Sequence, residues 1–213
     1  MSEKKNEADA LLERAYSLQT ESESKELYRD WAETYDATML DNLGYLTPKK
    51  TAELLEPEVT DKAARILDVG SGTGLAGIEL SRLGFTNLDA LDYSSEMLAV
   101  ADKRGIYANL LVIDLTGPVP IESAAYDAII CTGTFTHAHV GADCLDELFR
   151  VLKPGGLFAC TVQKDVWLTA GFEETVSRLE GGQIIRTRYR ELGTYYEDSN
   201  EPEGWFIIWE RLK

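Results

Sequence analysis

Grouped positive charge is what this sequence most conspicuously lacks. Its 21 lysines and arginines stand against 37 aspartates and glutamates, for a formal net charge of −16. Binding to nucleic acid or to an anionic membrane needs clustered Lys and Arg to neutralise phosphate, so neither partner is expected. The short basic run Arg186-Thr-Arg188-Tyr-Arg190 reads at strand spacing as three arginines on one solvated face. Cysteine is scarce too. Cys131, Cys144 and Cys160 are odd in number and lack CxxC spacing, which fits a reduced, cytoplasmic compartment with the thiols as small hydrophobes. No run approaches the roughly 18 apolar residues of a membrane span. The opening Met1-Ser-Glu-Lys-Lys leads into acidic sequence with no apolar signal core, so a soluble protein that is not exported is expected. Two histidines complete the shortages. His137 and His139 have no third ligand nearby, and no metal site is expected.

What is present is a rhythm. Residues 1–26 are polar, with a weak apolar stripe at Leu11, Leu12, Ala15 and Leu18, and read as a marginal helix or a polar arm. Composition changes at Leu27. Tyr28, Trp31 and Tyr35 then fall at i, i+3 and i+7 and give a helix one aromatic face. Thr47-Pro48 is a cap and first-turn pair for a helix reaching Leu55. From Arg65, short apolar runs alternate with amphipathic helices. The strands are 65–69, 87–91, 110–113, 127–131 and 157–162, with helices at 76–83, 95–103 and 142–152 between them. This is a βαβ pattern, so a parallel sheet with helices on both faces is expected. After a helix around 172–179 the tail changes character. Residues 183–192 and 205–212 alternate as strands with no helix between them, so they pair directly or straddle another strand. The length suits one domain.

The chemistry concentrates in Ile66-Leu67-Asp68-Val69-Gly70-Ser71-Gly72-Thr73-Gly74-Leu75, a buried strand running into a glycine-rich turn and a helix. The glycines let the backbone pass close to a ligand, at the carboxyl end of a parallel strand where ligands bind. Asp68 there suits a cationic amino group. Gly72-Thr-Gly74-Leu-Ala-Gly77 also satisfies the G-x-G-x-x-G dinucleotide fingerprint, with Asp92 twenty residues after Gly72, so an NAD-type oxidoreductase is a rival reading. Against it, Asp68, Asp92 and Asp114 close three successive strands, and the tail is strand-rich. Asp127, which precedes its strand, reads as a turn or edge residue.

These residues together resemble the class I S-adenosylmethionine (SAM)-dependent methyltransferases. Leu67-Asp68-Val69-Gly70-Ser71-Gly72-Thr73-Gly74 matches the first family motif. Leu91-Asp92-Tyr93-Ser94-Ser95-Glu96-Met97-Leu98 is similar to the second. Asp114 is placed like the third, and Leu152-Lys-Pro-Gly-Gly-Leu157 resembles the turn before the fifth strand. A narrower likeness, through Trp31-Ala-Glu-Thr-Tyr35-Asp36, Leu43-Gly44-Tyr45 and the ending from Gly204-Trp205, is to the Williams–Beuren region methyltransferase-like small-molecule methyltransferases.

The resemblance implies a Rossmann-like, doubly wound seven-stranded α/β sheet, mostly parallel with an antiparallel C-terminal strand, plus an N-terminal helical lid. It implies one methyltransferase domain over 27–213, with the lid at 27–60, the cofactor-binding core at 64–163, and a C-terminal helix and strand pair at 164–213. S-adenosyl-L-methionine is the implied cofactor. By the same resemblance Asp68 lies near the methionine amino group, and Gly70, Gly72 and Gly74 approach the cofactor with bare backbone. Asp92 takes the ribose hydroxyls and Tyr93 sits at the adenine or ribose edge. Asp114 takes the adenine 6-amino group, and the Leu115 N–H donates to a ring nitrogen. Thr132 and Gly133 lie beneath the methionine part, while Tyr28, Trp31 and Tyr35 close over the cofactor.

His137 and His139, in the loop after the fourth strand, are candidates for a general base as well as for loop packing. The expected acceptor is a small molecule, in a pocket formed by the lid, the histidine loop, Trp167, Tyr195 and Tyr196. The Asp/Asn-Pro-Pro-Tyr/Phe signature of amino-group methyltransferases acting on bases or glutamine is absent. The competing class is a non-catalytic SAM-binding regulatory or partner subunit, so a protein partner stays open.

Overall fold

The computed structural model describes residues 10, 11, 13, 14, 23, 27, 31, 32, 34–136 and 140–213. Their strands are β1 (Arg65–Val69), β2 (Asn87–Asp92), β3 (Tyr107–Val112), β4 (Tyr126–Phe135), β5 (Leu152–Gln163), β6 (Ile185–Gly193) and β7 (Gly204–Arg211). The helices are α1 (Thr47–Leu55), α2 (Leu75–Arg82), α3 (Ser95–Asp102), α4 (Leu145–Val151), α5 (Lys164–Thr169) and α6 (Phe172–Gly181). The strands form one seven-stranded sheet in the order β3-β2-β1-β4-β5-β7-β6. β1 to β5 pair in parallel, and β7 runs antiparallel to both β5 and β6. The expected sheet is therefore present, and the two tail strands pair directly.

The strands of the middle of the sheet are apolar at successive positions because both faces are buried. Leu67 and Val69 of β1 join Ile129, Cys131, Phe158, Cys160, Ile207 and Trp209 in one core, which α4 and α6 cover with Leu145, Phe149, Phe172 and Val176. Their neighbours Ile66, Ala128, Ile130, Ala159 and Ile208 point the other way, under Ala52 and Leu55 of α1 and Ala76 and Leu80 of α2. The period of two decides which core each residue enters. The three cysteines are buried as expected. Burial pushes the Cys144 thiol up to about 12 and those of Cys131 and Cys160 well above the ordinary value. A third cluster packs Leu27, Trp31, Met39 and Leu43 against Leu75, Tyr195 and Phe206. From β1 the strand order runs outward through β2 to β3 and, on the other side, through β4 to β5. This reversal places a crevice at the carboxyl ends of β1 and β4.

The structure departs from the sequence reading in several places. The helix expected to carry Tyr28, Trp31 and Tyr35 does not continue regularly beyond Asp36. Ala37–Asn42 forms a π-helical turn, a widened turn that is frequent at functional sites. Thr47 is the first residue of α1 rather than its cap, and Leu46 flanks it. β4 continues through Phe135, which turns the expected loop residues Thr132 and Gly133 into strand. Trp167 lies on α5, stacked on Phe172 in the core.

The three arginines of β6 do not share a face. The register with β7 shifts between Thr187 and Tyr189, an irregularity that reverses the alternation. Arg186 and Arg188 pair with Glu210, whereas Arg190 packs its guanidinium over Trp167 and Trp205. Asp127 is neither a turn nor an edge residue: it is the second residue of β4, an internal strand of the sheet. Its carboxylate accepts from the Arg65 N–H and from Lys153.

Candidate cofactor and acceptor site

The glycine loop leaves β1 at Val69 with left-handed backbone at Gly70 and Gly72, φ +62° and +53°. A Cβ on Gly70 would stand 2.0 Å from Thr134 Oγ1, whereas one on Gly72 would meet nothing within 4 Å. Gly70 is thus a packing necessity, and Gly72 leaves bare backbone facing open space. That space is a cavity of about 380 Å³, within the about 300–1,000 Å³ typical of small-molecule sites.

Strand ends supply its polar wall. Asp92, closing β2, is buried and lines the cavity. Its Oδ2 accepts from the Gly72 N–H and its Oδ1 from the Ser94 N–H, each at 2.8 Å. Burial nevertheless holds its carboxyl above the ordinary range, against those two bonds and a third from the Tyr93 backbone. Ser94 also caps α3, accepting from the Met97 N–H. Beyond β3, Asp114 lines the cavity and takes the Thr116 N–H and hydroxyl at 2.8 Å. Leu115, Tyr93, Thr132 and Gly133 complete the expected lining, and Tyr35 reaches the wall from the N-terminal side.

Three expected residues are placed elsewhere. Trp31 is buried beside Tyr35, donating to Thr38 at 3.2 Å, and contributes no cavity wall. Gly74, with its φ of +89°, sits behind the loop at the start of α2. Asp68 is buried below the loop, and its Oδ2 accepts from Tyr107 Oη at 2.6 Å and the Gly77 N–H at 3.1 Å. Burial, strengthened by Asp92, pushes its carboxyl up to about 7 although both hydrogen bonds pull it down. Tyr28, His137 and His139 lie outside the described residues. Trp167, Tyr195 and Tyr196 do not line the cavity either.

Sequence reasoning missed Tyr45, Pro48, Ser71, Thr134 and Val140, which all do. Ser71 stands between two motif glycines and Tyr45 follows Leu43-Gly44, but nothing local assigns either a role. The Tyr45 hydroxyl lies over Gly133, 2.7 Å from where a Cβ would sit. Tyr107 had no sequence signal, since its partner Asp68 is 39 residues away.

Known proteins place this arrangement. A family model described as a methyltransferase domain matches residues 67–160. Methyltransferase-like protein 27 of Homo sapiens is 31% identical over 183 residues, covering 82% of this chain and 73% of that protein. Ubiquinone biosynthesis O-methyltransferase of Xylella fastidiosa (strain 9a5c) is 32% identical over 133 residues, 55% of this chain, and the match spans 52% of that protein. The crystal structure of a SAM-dependent methyltransferase from Aquifex aeolicus shares the fold, with a TM-score of 0.60 at 20% identity, over 87% of this chain and 98% of that one. The chain belongs to the class I SAM-dependent methyltransferases. Within that class, the match to Methyltransferase-like protein 27 runs through most of both chains.

The site fits the cofactor that the family implies. Ser71 Oγ and Asp68 Oδ1 are buried polar atoms with no hydrogen-bond partner among the described residues, and such atoms are costly unless a ligand or water satisfies them. One is a hydroxyl on the cavity wall and the other a carboxylate oxygen behind it. Both suit the charged end of an amino acid. No helix among the described residues is long and apolar enough to cross a membrane.

Proposed function

We propose that the protein transfers a methyl group from SAM to a small-molecule acceptor. The observation that carries this is one cavity joining the glycine loop, Asp92 and Asp114 at successive strand ends, with the hydroxyl of Ser71 unpartnered on its wall. When bound, SAM supplies a methyl group already activated on a sulfonium. What remains for the chain is placement and exclusion of water, which is worth about 7–11 kcal/mol in well-oriented reactions.

In this reading Asp92, on the cavity lining, accepts from the ribose hydroxyls. Tyr93 packs at the ribose or adenine edge. Asp114 accepts from the adenine 6-amino group, and the Leu115 N–H donates to a ring nitrogen. Gly70, Gly72 and Gly74 give the loop its path along the methionine part, with Thr132 and Gly133 beneath it. Asp68 Oδ1 takes the amino group, directly or through water. Tyr35 closes the site, and Tyr28 and Trp31 support that closure.

The apolar part of the lining, with Tyr35, Tyr45, Pro48 and Val140, suits a partly apolar acceptor. Val140 directly follows His139, which supports a place for that loop at the acceptor. His137, with His139 the alternative, is the proposed general base. It is needed only by a nucleophile that keeps its proton at neutral pH, and then adds about 10²–10⁴-fold.

Two measurements test the proposal. Calorimetry should show binding of SAM and S-adenosylhomocysteine and none of NADH. Radiolabelled methyl from SAM should then enter the small-molecule fraction of a cell extract. Label confined to protein would overturn the acceptor class, and binding with no transfer to any fraction would favour the non-catalytic subunit.

A further inference from the structure

Tyr35 lines the cavity, and the next residue, Asp36, is tied at both carboxylate oxygens. Its Oδ1 accepts from Thr73 Oγ1 of the glycine loop at 2.5 Å. Its Oδ2 accepts from the Arg104 guanidinium, just beyond the end of α3. Arg104 in turn points Nε at the Thr73 carbonyl, 3.4 Å away. The Thr73 side chain is buried, while the Asp36 and Arg104 side chains are 28% and 30% exposed. Three segments far apart in sequence therefore meet at one carboxylate.

The consequence is geometric. The backbone at Asp36 is anchored to the loop under the cofactor, so the adjacent Tyr35 ring is set across the cavity rather than left to the torsions of the N-terminal segment. The π-helical turn that begins at Ala37 carries the chain from this anchor to Tyr45, on the same cavity wall.

We propose that Asp36 is a positioning residue for cofactor binding: by joining Thr73 of the glycine loop to Arg104 after α3, it seats Tyr35 over the bound cofactor and sets the rate at which the cofactor leaves. The inference rests on the cofactor assignment above, and Asp36 itself touches neither cofactor nor acceptor. Removal of the clasp should accelerate release without slowing entry, because an unseated cover obstructs neither direction.

The test measures association and dissociation of S-adenosylhomocysteine by surface plasmon resonance. The panel is wild type, Asp36→Ala, Thr73→Val, Arg104→Gln and the double variant Asp36→Ala/Arg104→Gln. Thr73→Val changes almost no volume and is the variant to rely on should Asp36→Ala fold poorly. The expected result is a dissociation rate raised at least about 10-fold in Asp36→Ala and severalfold in each partner variant, with association unchanged or faster. The double variant should be no worse than Asp36→Ala, since all three groups act through one carboxylate. Amide exchange in cofactor-free protein should quicken over residues 34–46. Wild-type dissociation rates in Asp36→Ala and Thr73→Val would overturn the clasp and leave the cofactor assignment standing. So would slower association at an unchanged dissociation rate, the mark of a merely damaged loop. A wild type that binds no S-adenosylhomocysteine would overturn the cofactor assignment itself.

Discussion

The two walls of the cavity are built on different principles. One is made of strand ends, with Asp92 fastened to Gly72 and Ser94 and a glycine loop with its backbone bare, backed from behind by Asp68 fastened to Tyr107 and Gly77. The other is made of rings and aliphatic surface, Tyr35, Tyr45, Pro48 and Val140, carried by the N-terminal segment and the loop after β4. A group that is the same in every turnover is best met by fixed hydrogen bonds on rigid elements. A group that distinguishes one enzyme of a superfamily from another is met on segments free to differ. The polar wall should therefore govern cofactor affinity, and of the aromatic wall only Tyr35, the cover held by Asp36, should share in it.

The strongest way to break that division is at Asp92. Asp92→Ala removes the proposed acceptor for the ribose hydroxyls and takes from the Gly72 and Ser94 N–H groups their carboxylate partner. Hydrogen bonds to a charged group are worth about 1.5–3 kcal/mol each. SAM affinity measured by calorimetry should fall on the order of 100-fold or more. Tyr45→Phe, on the other wall, should change that affinity less than about threefold. Equal losses in the two variants would show that the walls share one task.

A smaller effect separates Asp92 from the buried carboxylate behind the polar wall. Asp68 is held up to about 7 by burial, from 3.8 in the unfolded chain. Its native pKa is raised, so between those values the folded protein keeps a proton that the unfolded chain has lost. The stability of the cofactor-free protein should then fall as pH rises from about 4 to about 7, by at most about 1.4 kcal/mol per pH unit, and level off above. A bound ammonium favours the ionised form, so SAM affinity should rise with pH through the same window, up to about 10-fold per unit. Denaturant melts and calorimetry from about pH 5.5 to about pH 7.5 read both slopes, and Asp68→Asn should flatten them. A pH-independent affinity in the wild type would remove Asp68 from contact with the amino group.

The same contrast explains what the sequence could show. Strand ends were legible because local pattern produces them. Buried runs closed by Asp92 and Asp114, with glycines after β1, announced both the sheet and its polar wall. Of the aromatic wall only Tyr35 was legible, because Tyr45 and Val140 reach the cavity only through the path of the chain between elements. Trp31 shows the converse: helical spacing put it with Tyr35, and packing turned it into the core. Partnerships across the fold were equally invisible. Tyr107 meets Asp68 and Asp36 meets Thr73 over 39 and 37 residues, and only the completed fold brings them together. The arginines of β6 were misplaced for a related reason, since a period of two assumes an unbroken ladder and the shift after Thr187 breaks it.

Ser71 offers the finest test of the polar wall. Its hydroxyl is buried and unpartnered in the cofactor-free protein, so native structure gains nothing from it and bears the cost of its lost hydration. Ser71→Ala should leave the melting temperature unchanged or slightly raised. If the hydroxyl bonds the methionine part of SAM, the same change should weaken cofactor binding by one neutral hydrogen bond. That is about 0.5–1.5 kcal/mol, or roughly two- to tenfold in Kd. A structural hydroxyl would behave the other way, with stability lost and affinity kept. Weaker binding in a protein no less stable would mark Ser71 as a cofactor ligand, on a wall where the expected acidic residues do the rest.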